Sequence, residues 1–129
     1  MTYLLDTQLL LWSAYKGHQL SNTARALLDD ASNNFIFSTT SIWEITIKAA
    51  KRPDVFRVNP EALRTSLLDL EYTELILTSE HALRTITLPL LHGDPFDRIL
   101  VAQAIVEDTP LVTADRQLTQ YTAPILYVG

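Results

Sequence analysis

Short apolar runs alternate with helical segments along this chain, and this alternation restricts its possible folds more than any other feature. Five runs read as strands, at Thr2–Leu5, Phe35–Ser38, Thr73–Thr78, Pro110–Thr113 and Ala123–Val128. They are short apolar runs rather than clean alternations of polar and apolar residues, which is typical of strands buried on both faces. The pattern therefore predicts an α/β fold with a parallel sheet that helices cover on two faces.

Four acidic residues stand next to these segments although they are far apart in sequence. Asp6 follows the first strand and Asp115 follows the fourth, whereas Glu44 and Asp97 lie near the starts of helices. Ligands of such sheets bind outside the carboxyl ends of the strands, so we expect the four side chains to converge there. Clustered carboxylates repel one another unless a cation binds them, and oxygen ligands favour Mg²⁺ or Mn²⁺. The sequence therefore predicts a metal-dependent enzyme that cleaves phosphoesters.

Each acid also has a purely structural explanation. The first and the last could simply cap the helices that follow them. Glu44 completes an S-x-x-E capping box that begins at Ser41. Asp94 can cap a helix that begins at Pro95, with Asp97 at the third position of that helix. Because this helix is apolar almost all round, however, a carboxylate on it needs a partner, and a metal ion is a natural one.

Basic residues lie close to the acids in sequence and could hold phosphate groups beside the metal. They are Lys48, Lys51, Arg98 and Arg116. Lys48 could instead form a helix-surface ion pair with the acid four residues before it. His92 is a possible auxiliary group, but a lone loop histidine is more often polar surface.

Composition narrows the class of protein. The 129 residues predict a single domain, 1–129, and the absence of cysteine excludes disulfides and thiolate metal sites. No apolar run reaches the length of a membrane span and the N-terminus lacks a basic region, so we expect a cytoplasmic protein without a signal peptide. The net charge of −5 argues mildly against general nucleic-acid binding, although a metal-binding cluster itself contributes negative charge.

Four segments together resemble the PIN domain, specifically the VapC-type toxin ribonucleases of bacterial and archaeal toxin–antitoxin pairs. The segments are LLDT at 4–7, SIWEI at 41–45, DPFDRILVAQA at 94–104 and LVTAD at 111–115. They occur in the family's order and span nearly the whole chain, and the segment at 94–104 is the most specific of them.

The resemblance implies a three-layer α/β/α domain with a central, mostly parallel five-stranded sheet, and a metal-dependent endoribonuclease that hydrolyses RNA phosphodiesters. The acids that it implies as catalytic and as ligands of Mg²⁺ or Mn²⁺ are Asp6, Glu44, Asp97 and Asp115. Thr7 and Thr113 would support them, and Asp94 is an additional acid of this version of the motif. The resemblance further implies a homodimer and a cognate antitoxin protein whose tail occupies the active-site groove.

Three other interpretations remain open at this point. Asp6 could be the nucleophile of a phosphatase or phosphotransferase, but such enzymes typically place a second aspartate two residues on, where Gln8 stands here. The chain could be a non-catalytic binding module that retains the fold. Its substrate could also be DNA rather than RNA, and the sequence does not identify which RNA is cleaved.

Overall fold

Strands and helices alternate along the chain in a computed structural model that describes residues 1–129. The strands are β1 (Thr2–Leu5), β2 (Asn34–Ser38), β3 (Thr73–Leu75), β4 (Leu111–Thr113) and β5 (Ile125–Tyr127). The helices are α1 (Thr7–Tyr15), α2 (Asn22–Asp29), α3 (Thr39–Lys51), α4 (Pro60–Asp69), α5 (Ser79–Arg84) and α6 (Pro95–Glu107). Short 3₁₀ turns occupy Gly17–Gln19, Thr85–Thr87 and Arg116–Gln120. None of the helices combines the length and the hydrophobicity that crossing a membrane requires.

The five strands form one sheet in the order β3-β2-β1-β4-β5, and every neighbouring pair is parallel. The predicted five-stranded sheet is confirmed, and it is wholly rather than mostly parallel. β3 is shorter than the predicted Thr73–Thr78, because the backbone N–H of Leu77 donates to the Thr39 hydroxyl instead of to a strand. The segment after Leu75 then leads directly into the cap of α5 at Thr78.

Helices cover both faces of the sheet, as the apolar strands predict. On one face, Leu5 and Val112 pack with buried side chains from α1, α2, α3 and α4. On the other face, Leu4 and Leu111 pack with Leu100 and its neighbours on α6. Because adjacent residues of β1 and β4 point to opposite faces, each strand contributes to both apolar cores. The result is the predicted three-layer α/β/α architecture.

The strand order creates a crevice between the carboxyl ends of β1 and β4. From β1 the chain adds β2 and then β3 on one side of the sheet, and later adds β4 and β5 on the other side. Such a reversal is the position where open α/β sheets bind ligands. Asp6 immediately follows β1, and Asp115 follows β4 by one intervening residue, so the topology brings these two acids to the same crevice.

Candidate metal centre

An acidic cleft of about 240 Å³ lies at these strand ends. All four acids implied as metal ligands contribute to its lining, together with Asp94 and Thr7: they are Asp6, Glu44, Asp97 and Asp115. Lys48 is the only basic residue of the lining. The fold therefore gathers into one cleft residues that lie more than a hundred positions apart in sequence.

Asp6 serves as a helix cap while its side chain remains in the cleft. It is the N-cap of α1, and its Oδ1 accepts the N–H of Leu9 at 2.8 Å. The Thr113 hydroxyl donates to Asp6 Oδ2 at 2.5 Å and also accepts the N–H of Asp115 at 3.0 Å. Thr113, which is fully buried, thus connects the end of β1 to the end of β4 and fixes the orientation of the Asp6 carboxylate.

Asp115 caps the 3₁₀ turn that follows β4, with Oδ1 accepting the N–H of Gln117 at 2.9 Å. Its other oxygen, Oδ2, lies 3.2 Å from Nε2 of His92. The Nδ1 atom of His92 accepts the N–H of Asp94 at 3.1 Å, so in the neutral ring the proton is on Nε2. His92 therefore donates into the acidic cluster, and its Nε2 is also 3.5 Å from Asp97 Oδ2.

Asp94 and Asp97 occupy the start of α6 as the sequence predicts. Asp94 is the N-cap, Pro95 is the first residue of the helix, and Asp94 Oδ1 accepts the N–H groups of Phe96 and Asp97. Because Asp94 caps the helix, the side chain of Asp97 is not needed as a cap, and it is 20% exposed. The helix N-terminus contributes partial positive charge, which favours carboxylates at this position.

Glu44 does not belong to a capping box, which corrects the structural alternative drawn from the sequence. The N-cap of α3 is Ser38 rather than Ser41, so Glu44 lies in the second turn of the helix. It is buried, and its Oε2 accepts from Nζ of Lys48 at 2.6 Å. Its Oε1 is buried and has no hydrogen-bond partner. A buried carboxylate oxygen without a partner is energetically costly, and a cation in the cleft would satisfy it.

The surroundings of two acids favour their protonated forms in the absence of a cation. Burial raises the pKa of Asp6 to about 6, although hydrogen bonds from Thr113 and Leu9 oppose the change. Burial and then the charge of Asp94 raise the pKa of Asp97 to about 7, with smaller contributions from Glu44 and Asp6. A divalent cation would compensate this mutual repulsion and displace the protons.

The donor atoms fit a hard divalent cation. One ligand atom from each of His92, Asp97 and Asp115 can be chosen so that all three lie within 4.8 Å of one another. Glu44, whose Oε1 has no hydrogen-bond partner, lines the cleft together with Asp97 and Asp115. Because Nε2 of the neutral His92 ring carries the proton, the carboxylate oxygens are the ligands of this group, and oxygen ligands suit Mg²⁺ and Mn²⁺ rather than a thiolate-preferring metal.

The remaining residues singled out in the sequence have different surroundings. Thr7 is buried, and its hydroxyl donates to Ser41 Oγ at 2.8 Å, which holds the start of α1 against α3. Lys51 is exposed at the end of α3. Arg116 is exposed, and its guanidinium lies 5.2 Å from the centre of the Tyr127 ring.

The guanidinium of Arg98 makes hydrogen bonds within the protein. Its two terminal nitrogens donate to the carbonyl oxygens of Thr85, Leu88 and Pro89 and to the hydroxyl of Tyr121. It therefore ties the segment after α5 to the start of α6, and it does not contribute to the lining of the acidic cleft. Although Arg98 follows Asp97 directly in sequence, it does not line the cleft with it, because successive residues of a helix point in different directions.

The sequence indicates His92 only as a possible auxiliary group without a catalytic role, and the structure places it between two acids of the cluster, Asp97 and Asp115. The signal for it is present in the segment HGDPFD at 92–97. A histidine two residues before a helix cap can accept the N–H of the cap residue through Nδ1. In this protein that contact leaves Nε2 of His92 facing Asp97 and Asp115. Recognising this pattern requires knowing that the next helix opens toward the cleft.

Comparisons with known proteins agree with the fold. A family model described as the PIN domain matches residues 3–124. Among solved structures, VapBC2 from Rickettsia felis bound to a DNA fragment from its promoter matches with a TM-score of 0.73 at 16% identity over 100% of both chains. A toxin–antitoxin complex from Klebsiella pneumoniae matches with a TM-score of 0.68 at 16% identity over 98% of both chains. VapBC-5 from Mycobacterium tuberculosis matches with a TM-score of 0.65 at 18% identity over 98% of this chain and 97% of its own. None of the curated proteins matches the sequence.

Proposed function

Because this chain belongs to the PIN domain family, we propose that it is a metal-dependent endoribonuclease that acts as the toxin of a toxin–antitoxin pair. The observation that carries the proposal is the buried, partnerless Oε1 of Glu44 in a cleft lined by three further acids of the motif. Capping accounts for Asp6 and Asp115 one at a time, but carboxylates gathered at close range repel one another, and a bound cation would offset that repulsion. The toxin role is supported by the similarity of the fold to toxin–antitoxin complexes.

We assign the cation, Mg²⁺ or Mn²⁺, to the four acids Asp6, Glu44, Asp97 and Asp115. When bound, such a cation supplies Lewis acidity that lowers the pKa of water and offsets the charge developing on a phosphodiester. Thr113 holds Asp6 in a fixed orientation through its 2.5 Å hydrogen bond. Asp97, whose pKa is about 7, would lose its proton on binding the cation, because the positive charge favours the ionised carboxylate.

Lys48 and His92 provide the other polar groups of the proposed reaction. Lys48 is half-exposed beside Glu44 and can bind a phosphate oxygen at the mouth of the cleft. His92 Nε2 donates a hydrogen bond toward Asp97 and Asp115 and so keeps these two carboxylates oriented. Hydrolysis by the family's route leaves a 3′-hydroxyl and a 5′-phosphate.

The competing role for Asp6 as a phosphatase nucleophile has little support. Both of its carboxylate oxygens accept hydrogen bonds, from Leu9 and Thr113, and the residue is 5% exposed. An attacking carboxylate needs an open path to phosphorus, and this one is held in a capping geometry. Position 8, where such enzymes carry a second aspartate, is a glutamine.

Two partners follow from the proposal. A cognate antitoxin would occupy the acidic cleft with a basic residue of its tail, for which the chain's net charge of −5 is favourable. We also propose that the toxin is a homodimer, with RNA as its substrate. The identity of the RNA depends on groove shape and flanking contacts.

The deciding experiment measures RNA cleavage by antitoxin-free protein with Mg²⁺, with Mn²⁺ and with EDTA. Asp97→Asn keeps the shape of the side chain and removes its charge, so we expect it to abolish cleavage. Asp69→Asn, on an exposed residue at the end of α4, is the matched control and should cleave like the wild type. Wild-type-like activity of Asp97→Asn would refute the assignment, and intact RNA with every cation would favour a non-catalytic binding module.

A further inference from the structure

A second groove of about 370 Å³ adjoins the acidic cleft, between α1 and the loop that joins α3 to α4. Four residues line both the groove and the cleft, so the two depressions form one continuous surface: Gln8, Leu11, Trp12 and Lys48. Away from the cleft it is lined by Tyr15, Lys16, Phe56 and Arg57, among others. We refer to it as the α1 groove.

The chemistry of the α1 groove is opposite to that of the cleft. Its ten lining residues include three cations and no carboxylate. Lys16 and Arg57 form no ion pair, and Arg57 donates only through Nε, to the carbonyl oxygen of Asp54. Unpaired cations that share one groove on a chain of net charge −5 mark this surface for an anionic partner.

Aromatic rings lie among these cations. Trp12 and Phe56 are half-buried and pack against the core cluster, whereas Tyr15 is 48% exposed. Trp12 and Tyr15 are three residues apart on α1 and therefore occupy the same side of the helix. Side chains anchored in this way present ring surface without a large loss of conformational freedom on binding.

From this combination we infer that the α1 groove binds single-stranded RNA and leads it into the acidic cleft. Cations spaced along a groove bind the phosphates, and aromatic rings stack with unpaired bases, which are the two features of single-strand binding sites. A duplex would not expose its bases to the rings. As it names the substrate path of the same site, this inference rests on the proposed function.

A protein segment is the other possible occupant, and the charge argues against it. A basic antitoxin tail that enters the acidic cleft would be repelled by Lys16, Lys48 and Arg57 on the way. An RNA strand carries a negative phosphate at each nucleotide and is attracted by the same three residues. Lys48 stands at the junction, because its Nζ contacts Glu44 at 2.6 Å while its side chain also lines the α1 groove.

Binding is measured with fluorescent oligouridylate and oligoadenylate of about 12 nucleotides in EDTA, which prevents metal-dependent cleavage, with a duplex of equal length beside them. The variants are Arg57→Gln and Tyr15→Ser, and the matched control is Arg84→Gln on α5, an exposed cation on the opposite face. Circular dichroism and a melting curve establish that each variant is folded. In a Trp43→Phe background, Trp12 is the only tryptophan and reports stacking by its fluorescence.

We expect single strands to quench Trp12 and to bind more tightly than the duplex. Tyr15→Ser should weaken single-strand binding roughly tenfold. Arg57→Gln should reduce the slope of log K against log salt by about 0.7, the value for one phosphate contact on a single strand. Arg84→Gln should leave both quantities unchanged.

Equal affinity of all variants for the single strands would overturn the inference. It would also be overturned if the two groove variants lost affinity for the antitoxin but not for RNA, because the groove would then belong to the protein partner. Cleavage of RNA by wild-type protein with Mn²⁺ separates the two proposals. If the protein binds single strands in the α1 groove but does not cleave them, the inference about the groove is supported and the proposed nuclease activity is refuted.

Discussion

Binding of Mn²⁺ to this chain should depend steeply on pH, because protons compete with the cation for two of the proposed ligands. The pKa of Asp97 is about 7 and that of Asp6 is about 6, both raised chiefly by burial. At pH values well above 7 both carboxylates are ionised and ready to bind. As the pH falls through 7 and then 6, the cation must displace first one proton and then two.

The size of the effect follows from the two pKa values. At a pH of about 5.5, roughly one Asp97 side chain in 30 and one Asp6 side chain in four are ionised in the metal-free protein. The apparent affinity for Mn²⁺ should therefore fall about 100-fold between a pH of about 8 and 5.5. In Asp97→Asn the affinity is weaker throughout, and the remaining dependence over this range should be about fourfold, from Asp6 alone.

The same shifts act on the stability of the metal-free protein. In the unfolded chain, Asp97 ionises near its ordinary value of 3.8, whereas the folded protein keeps the proton until a pH of about 7. The folded state therefore binds more protons in this window, so the free energy of unfolding falls as the pH rises through it. Without metal the protein should be more stable at pH 5 than at pH 8, and Mn²⁺ should stabilise it more at pH 8.

Isothermal titration calorimetry with Mn²⁺ at several pH values gives the affinity, and repetition in buffers of different ionisation enthalpy counts the protons released. We expect close to one proton per cation near pH 6.5 in the wild type and fewer in Asp97→Asn. An affinity that stays constant between pH 8 and 5.5, with no protons released, would show that the two acids are not ligands. Urea unfolding in EDTA at pH 5 and pH 8 checks the direction of the stability change.

Three further perturbations test individual contacts. His92→Ala removes a neighbour that lowers the pKa of Asp97, so the pH at which Mn²⁺ affinity is half lost should be higher in the same titrations. An unchanged pH would contradict the contact between His92 and Asp97. Gln103→Met removes the acceptor of the Ser38 hydroxyl in the core, a 2.6 Å hydrogen bond, and should lower the free energy of unfolding by about 1–3 kcal/mol in urea titrations. Asp94→Ala removes the cap of α6 and should lower the free energy of unfolding by about 1 kcal/mol. Asp94→Ser retains a capping oxygen and should lower it much less. Equal losses of stability in the two variants would exclude capping as the cause.

The sequence predicts the fold well because its strands are nearly all apolar. Runs such as Leu4–Leu5 and Leu111–Val112 have no polar face, so only a sheet covered on both sides can bury them. The limits of β3 were harder to predict, since Ile76 and Leu77 continue the apolar run beyond the last strand residue. There a tertiary contact, the Thr39 hydroxyl accepting from Leu77, ends the strand.

The candidate site is predictable where a residue's role depends on its position at a segment boundary. Asp6, Asp97 and Asp115 follow a strand or open a helix, and these boundaries can be recognised locally. Glu44 and His92 depend on three-dimensional contacts. The local pattern assigns Glu44 to a capping box that begins at Ser41, but the cap of α3 is Ser38, three residues earlier. Glu44 therefore lies in the second turn of the helix, where it lines the cleft.

The capping interactions also explain how the metal-free protein holds an acidic cluster together. One oxygen of Asp6 and one of Asp115 each accept a backbone N–H at the start of a helical segment. The second oxygen of Asp6 accepts from Thr113, and that of Asp115 accepts from His92. Four fixed hydrogen bonds thus orient two carboxylates before any cation arrives, which is the arrangement that makes a binding site precise. Folding, rather than metal binding, therefore sets the positions of these two proposed ligands. A cation should accordingly bind without changing the far-ultraviolet circular dichroism, and a large gain of helix on adding Mn²⁺ would contradict this account.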